Sequence, residues 1–151
     1  MNLKEKCIYY NPIQEGYYLV LSIEGMVYGR RGDFVSTSNL EDWINQDGPG
    51  LRFKIDDIII NKDYILNYYL NEEYLDKFEL VRELTDEEFY PMEILIHSRY
   101  EWPETLIDIN KFKNNEEILD IVRAHRDRER ELENLKREIY LLEKDLYKAV
   151  R

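Results

Sequence analysis

The chain has 151 residues, of which 44% are hydrophobic and 35% charged, with 13 Tyr, 5 Phe and 2 Trp. This length and composition suffice for one folded domain without disulfides or a structural metal, and they exclude a chain that is disordered throughout. The formal net charge is −11. A field of this sign repels nucleic acid and favours basic partners, so direct DNA or RNA binding is not expected.

The negative charge is concentrated in the middle of the sequence. Residues 62–110 contain 4 basic and 13 acidic residues, a balance of −9, whereas residues 1–61 give −3 and residues 111–151 give +1. The sequence therefore predicts an acidic surface formed by the middle segment, next to a C-terminal segment of mixed charge.

Several features predict a protein of the bacterial cytoplasm. Cys7 is the single cysteine, the N-terminus carries no apolar stretch of signal-peptide length, and no run of about 18 apolar residues is present. We therefore expect an intracellular protein that does not cross a membrane. Alanine occurs only twice while Asn, Ile, Lys, Glu and Tyr are abundant, which is typical of AT-rich genes and indicates a low-GC bacterium or its phage.

The first half predicts a small antiparallel sheet. Residues 17–23 form a β-rich run that ends at Glu24-Gly25, and residues 26–28 resume it, as in a hairpin. Glycines in 29–33 predict a second turn, and Phe34-Val35 a short third strand. The N-terminal residues before this sheet are expected to be loosely held.

A short helix and further strands are predicted next. Ser38 and Glu41 have capping-box spacing, so a helix carrying Trp43 and Ile44 inward is expected before the turn at 47–50. The later assignments are a strand over 51–60, a helix over 62–77, a strand over 78–84, a capped turn at 85–88 that Pro91 stops, and a buried strand over 94–96.

The last third predicts one long helix, Glu116–Val150, capped by Asn114. Its heptad position a contains Ile118, His125, Leu132, Ile139 and Leu146, and position d contains Ile121, Arg128, Leu135, Leu142 and Ala149. The seam is apolar from Leu132 onward, which is typical of a coiled coil. His125 and Arg128 interrupt the upstream half.

This seam predicts homodimerisation through Leu132, Leu135, Ile139, Leu142 and Leu146. The alternative is a helix that folds back on its own sheet. Orientation stays open, because a parallel pair would place Glu131 against Lys136 but also Glu138 against Glu143.

No catalytic set, cofactor motif or metal site is predicted. His97 and His125 lack zinc-ligand spacing, and Cys7 lacks an identifiable base, although Lys4 and Lys6 could lower the pKa of its thiol slightly. The acidic pairs at 56–57, 72–73 and 86–88 leave a metal-dependent enzyme as a third alternative.

Alternating charges over 123–130 predict ion pairs along a solvated helix. Arg123, Arg126 and Arg130 share one helical face, so they could also form a second contact surface for phosphate or an acidic partner.

These observations predict an α+β protein with a small antiparallel sheet, short helices and a long coiled-coil-like C-terminal helix. Residues 1–110 would form an acidic, Tyr-rich domain and residues 111–151 a dimerising helix. The sharpest functional hypothesis is a non-catalytic phage or mobile-element inhibitor, which imitates nucleic acid and occupies the basic groove of a CRISPR effector or restriction nuclease. The alternative is a homodimeric structural or adaptor protein. The predicted partner-binding residues are Glu72, Glu73, Asp76, Glu79, Glu83, Asp86, Glu87, Glu88, Tyr68, Tyr69 and Tyr74.

Overall fold

The fold is given by a computed structural model, which describes residues 2–36, 50–98 and 105–151. The predicted helix with Trp43 and Ile44 lies outside the described residues. Internal contacts divide the chain into two units, residues 1–113 and residues 114–151. Each unit is considered by itself below.

A mixed seven-stranded sheet forms the first unit, in the order β6-β1-β2-β3-β5-β4-β7. All neighbouring strands are antiparallel except β4 and β7. The strands are β1 (Cys7–Asn11), β2 (Gly16–Ile23), β3 (Met26–Phe34), β4 (Leu51–Ile55), β5 (Ile58–Tyr69), β6 (Glu79–Glu83) and β7 (Thr105–Asp108). The helices are α1 (Asp86–His97) and α2 (Glu116–Val150), with 3₁₀ turns at Glu73–Lys77 and Ile109–Phe112. The predicted α+β class with a long C-terminal helix is confirmed.

Both faces of the sheet bury apolar side chains. One face carries a cluster that includes Tyr18, Val20, Val27 and Tyr68. Successive strand residues point to opposite faces, so the buried Leu19 belongs to the second face. The end of α1 lies beside β5, because the Lys62 ammonium donates a hydrogen bond to the carbonyl of Ser98.

β1 corrects the prediction of a loose N-terminus. Cys7 is buried in this strand and pairs with Glu83 of β6, while Ile8 pairs with Leu19 of β2. β1 is held in place because it pairs with a strand on each side. Its partner β6 is distant in sequence, so the residues near β1 gave no local signal of this pairing.

β3 corrects the prediction of a turn at 29–33 and a separate strand at Phe34. The strand runs through both glycines without a turn. The ring of Tyr18 lies over Gly29, and its hydroxyl donates a 2.7 Å hydrogen bond to the carbonyl of Leu66 on β5. At Gly32, the side chain of Ile60 occupies the space that a Cβ would need. These glycines therefore admit neighbouring side chains rather than a reversal of the chain.

The predicted strand over 51–60 is two strands joined by a hairpin. Ile55 pairs with Ile58, so Asp56-Asp57 is a two-residue loop, and Asp56 has a φ of 56°. The predicted helix over 62–77 is wrong in its first half, which belongs to β5. Tyr68 is buried and Tyr69 exposed; neighbours on opposite faces fit a strand and not the helical face we inferred.

α1 replaces the predicted capped turn and the predicted strand over 94–96. Thr85 caps this helix, and Pro91 lies inside it. Proline removes one backbone hydrogen bond and crowds the carbonyl four residues earlier, but burial of Phe89, Met92 and Ile96 at helical spacing favours continuation of the helix. The predicted strand at 78–84 is confirmed as β6.

α2 has the predicted bounds, Glu116–Val150. Its cap is one residue later than predicted: the side chain of Asn115 accepts a hydrogen bond from the backbone N–H of Ile118. Asn114 instead has a left-handed φ of 56°.

Candidate functional site

The predicted acidic surface begins at the connection between β5 and β6. Glu72 is half-buried, and Glu73 and Asp76 are exposed in and beside the 3₁₀ turn Glu73–Lys77. We call these three residues the acidic loop. Tyr69, at the end of β5, is 61% exposed and lies three residues before Glu72. The exposed carboxylates of Glu73 and Asp76 therefore follow an exposed aromatic ring within a few residues of the chain.

Glu88 does not belong to any surface. Its side chain is 1% exposed, and its carboxylate accepts hydrogen bonds from the Thr85 backbone N–H at 3.0 Å and from Arg82 Nη2 at 2.6 Å. Lys113 Nζ lies 3.3 Å from the same carboxylate. Burial raises the pKa of Glu88, but the hydrogen bond from Thr85 and the charges of Arg82 and Lys113 outweigh burial, so the pKa falls below its ordinary value.

This carboxylate joins distant parts of the sheet. Arg82 lies on the edge strand β6, and its Nε is also 3.4 Å from Asp56 in the β4–β5 hairpin. Lys113 directly follows the 3₁₀ turn Ile109–Phe112, which comes after β7. β7 is the edge strand at the other end of the sheet from β6. The Glu88 cluster, which we define as Arg82, Glu88, Asp56 and Lys113, therefore connects the two ends of the curled sheet.

The other predicted acidic residues do not share one face. Glu79 pairs with Tyr10 and Glu83 with Cys7, and these partners point to opposite sides of β1. Asp86 forms an ion pair with Lys6 at 3.0 Å, whereas Glu87 is exposed on the first turn of α1. The predicted set therefore divides among the acidic loop, two faces of β6 and the start of α1.

The predicted tyrosines also differ in accessibility. Tyr68 is buried and accepts a hydrogen bond from the Asn11 amide at 3.2 Å. Tyr74 is half-buried and packs edge-on against Tyr68, with ring centroids 5.8 Å apart. Burial and the Glu72 carboxylate raise the pKa of Tyr74 to about 12. Tyr68 is thus a core residue, Tyr74 packs against the core, and Tyr69 is the most accessible of the three predicted tyrosines.

The second unit presents the predicted seam to solvent. Exposed fractions range from 53% to 69% along α2, for Leu132, Leu135, Ile139, Leu142 and Leu146. Upstream, Arg123 pairs with Asp120 at 3.2 Å and Arg130 with Asp127 at 4.0 Å, each within the helix. These contacts confirm the predicted ion pairs along the helix, while Arg123, Arg126 and Arg130 as a second contact surface stay a prediction.

The described residues contain no group of three or more side chains suited to hold a metal ion. Cys7 donates a 3.4 Å hydrogen bond to the carbonyl of Glu5, and burial together with Glu83 raises the pKa of its thiol. This direction is opposite to the slight lowering predicted from Lys4 and Lys6. Nor do these parts of the chain include a helix that is both long and apolar enough to cross a bilayer.

The sequence analysis did not predict the ion pair of Arg82, the burial of Arg30 or the burial of Glu88. The signal for Glu88 was present, because Thr85 and Glu88 have the same capping-box spacing that we noted for Ser38 and Glu41. No comparable signal marks the two arginines, whose roles depend on strand pairing.

The chain was also compared with known proteins. No protein-family model, no curated protein and no solved structure matches it.

Proposed function

We propose that this protein is a non-catalytic homodimer, joined through α2, that acts by binding another protein in a bacterial cell. The observation that carries the proposal is the apolar seam of α2, whose five large residues are more than half exposed. Water-exposed leucines at heptad spacing favour burial against a second helix. A second copy of the chain supplies an identical seam and forms a self-complementary interface.

The dimer interface is assigned to the later part of α2. From Leu132 onward both seam positions are apolar through Ala149, whereas His125 and Arg128 would place polar groups in the upstream seam. The proposal therefore places tight helix pairing after Leu132 and leaves the upstream turns hydrated.

Sedimentation equilibrium of the full chain tests this proposal. We expect a dimer for the wild type and a monomer for Leu135→Asp and Leu142→Asp, because each places a carboxylate in the seam. Tyr140→Asp is the matched control, since Tyr140 is exposed on α2 outside the seam. A wild-type monomer, or dimers for both seam variants, contradicts the proposal.

A second candidate function is inhibition of an enzyme that handles nucleic acid, such as a CRISPR effector or a restriction nuclease. The acidic loop with Tyr69 supports it, because carboxylates beside an exposed aromatic ring suit a basic groove that normally receives phosphates. In this proposal the dimer presents two such loops. The loop is a narrower surface than the eight acidic residues of the sequence hypothesis.

Charge reversal within the loop tests inhibition. We expect Glu72→Lys, Glu73→Lys and Asp76→Lys, combined, to abolish any block of DNA binding by candidate nucleases, with an unchanged circular dichroism spectrum. Glu116→Lys, Glu117→Lys and Glu133→Lys, combined on α2, are the control for net charge, because three reversals change it by the same amount. Glu88 is left intact, because a buried lysine beside Arg82 would disrupt the fold. Equal inhibition by the loop variant and the control would refute this function.

A further inference from the structure

Arg30 is an unusual buried cation on β3. The residue is 9% exposed and points to the face of the sheet opposite Gly29. Its Nε donates a 2.7 Å hydrogen bond to the carbonyl of Lys62, and its Nη1 donates a 3.0 Å bond to the carbonyl of Gly29. Both acceptors are neutral, so these bonds orient the guanidinium without neutralising it.

The Arg30 guanidinium has no carboxylate in direct contact within the part of the chain that the structure describes. Among the described residues, none lies within 4.0 Å of Arg30 in an ion pair, and the two carbonyls are its only hydrogen-bond acceptors. Asp63 is the acidic residue whose charge acts on Arg30, from beyond that distance. A guanidinium carries five N–H groups, so part of its donor capacity is left for another molecule. A buried charge in this condition is costly unless an anion accompanies it.

The guanidinium lines an open pocket of about 390 Å³ on this face of the sheet. Ser22 and Tyr28 contribute hydroxyl-bearing side chains to the lining, and Asn67 contributes an amide. Leu21 and Ile65 supply apolar surface. A few polar groups beside an apolar wall, in a volume of this size, are typical of small-molecule sites.

Lys62 holds the Arg30 guanidinium through its backbone and contacts the end of α1 through its side chain. Its backbone carbonyl accepts the bond from Arg30, and its ammonium donates a 3.1 Å hydrogen bond to the carbonyl of Ser98. The cationic group that lines the pocket is therefore the Arg30 guanidinium, oriented from β5 by this carbonyl.

We infer that the pocket at Arg30 binds a small anionic ligand, with a carboxylate or phosphate group joined to an apolar or aromatic body. The anion would accept hydrogen bonds from the Arg30 guanidinium, as carboxylates and phosphates commonly do. Ser22, Tyr28 and Asn67 would bind its polar edges, and Ile65 would contact its apolar part. This inference is independent of the dimer and of the acidic loop, which use other surfaces.

The inference is tested by titrating the full-length ¹⁵N-labelled protein with benzoate and with phenyl phosphate at constant ionic strength. Benzyl alcohol serves as the neutral probe. We expect saturable amide shifts around Arg30, Ser22 and Asn67 with at least one anion, and weaker or no binding of the alcohol. The stronger of the two anions distinguishes a carboxylate site from a phosphate site. Absence of saturable shifts with both anions, or equal binding of benzyl alcohol, overturns the inference.

Variants connect the binding to Arg30. Arg30→Gln should weaken binding by roughly tenfold or more, because a charge-assisted hydrogen bond is lost. Arg31→Gln should leave binding unchanged, since the adjacent Arg31 contacts Asp33 and Gln14 instead. If Arg30→Gln does not fold, Tyr28→Phe and Asn67→Ala should each weaken binding several-fold. Unchanged affinity in folded Arg30→Gln, or in both of the other variants, overturns the assignment.

Discussion

The two units of the chain differ in the exposure of their apolar residues. The first unit buries them on both faces of a curled sheet, and a buried carboxylate cluster connects the sheet's ends. The second unit is a helix whose largest apolar residues are exposed and whose ion pairs are between near neighbours. The sheet unit therefore obtains its stability from contacts distant in sequence, whereas the described contacts within the helix are local and leave its apolar seam exposed.

The largest effect is expected at the Glu88 cluster. Glu88→Gln should lower the free energy of unfolding by roughly 3 kcal/mol, because it removes the buried charge between Arg82 and Lys113. Urea unfolding followed by near-ultraviolet circular dichroism, which reports on buried tyrosines such as Tyr18 and Tyr68, measures the change. Glu87→Gln, one residue earlier and exposed, should change the value by less than about 0.5 kcal/mol. Similar effects of the two variants would mean that the cluster does not stabilise the sheet.

A somewhat smaller effect is expected at the crossing of Tyr18 and Gly29. A Cβ at Gly29 would overlap the carbonyl oxygen of Leu19 and lie 2.5 Å from the Tyr18 ring. Gly29→Ala should therefore destabilise the sheet unit by about 2 kcal/mol, the usual range for overpacking. Chemical denaturation measures it, and Tyr18→Phe should cost about 1 kcal/mol through its lost hydrogen bond. A neutral Gly29→Ala would contradict the packing of Tyr18 over β3.

Acid should weaken the sheet unit through the same carboxylate, by less than the substitution does. The pKa of Glu88 is lower in the folded chain than its ordinary value of 4.5. Its stabilisation is therefore complete above that value and is lost as pH falls through the folded pKa. Unfolding free energies measured from pH 6 downward should decrease below about 4.5 in the wild type, and less steeply in Glu88→Gln. Parallel curves would exclude Glu88 as the group responsible.

The smallest effect is expected in the helix unit. Arg123→Gln removes an ion pair with Asp120 in which both side chains are more than 60% exposed. Exposed pairs contribute little, so helix content and thermal midpoint should change only slightly. Circular dichroism at 222 nm measures both quantities. A large loss of helix would show that this arginine has a role beyond its intrahelical contact.

The same difference explains which features could be predicted from sequence. Heptad spacing is local, so the apolar positions from Ile118 to Ala149 and the polar cap before them predicted α2 without knowledge of any partner. The strands depend on pairing: Gly29 and Gly32 resemble turn residues until Tyr18 and Ile60 are placed beside them. The acidic surface was predicted from composition, which cannot distinguish exposed Glu73 from buried Glu88. No sequence pattern predicted the burial of Arg30, because its burial depends on which residues of β3 face the covered side of the sheet.

Pairing of β1 with β6 also has a consequence for the order of folding. Cys7 is aligned with Glu83, so one side of β1 has no strand partner until more than half of the chain has been synthesised. Pairings of such long sequence separation close slowly, because loop entropy opposes them. The α2 helix, whose hydrogen bonds are all local, is instead expected to form rapidly once synthesised. A newly made chain can thus complete α2, with its exposed apolar seam, while the edge strand β6 is still pairing with β1.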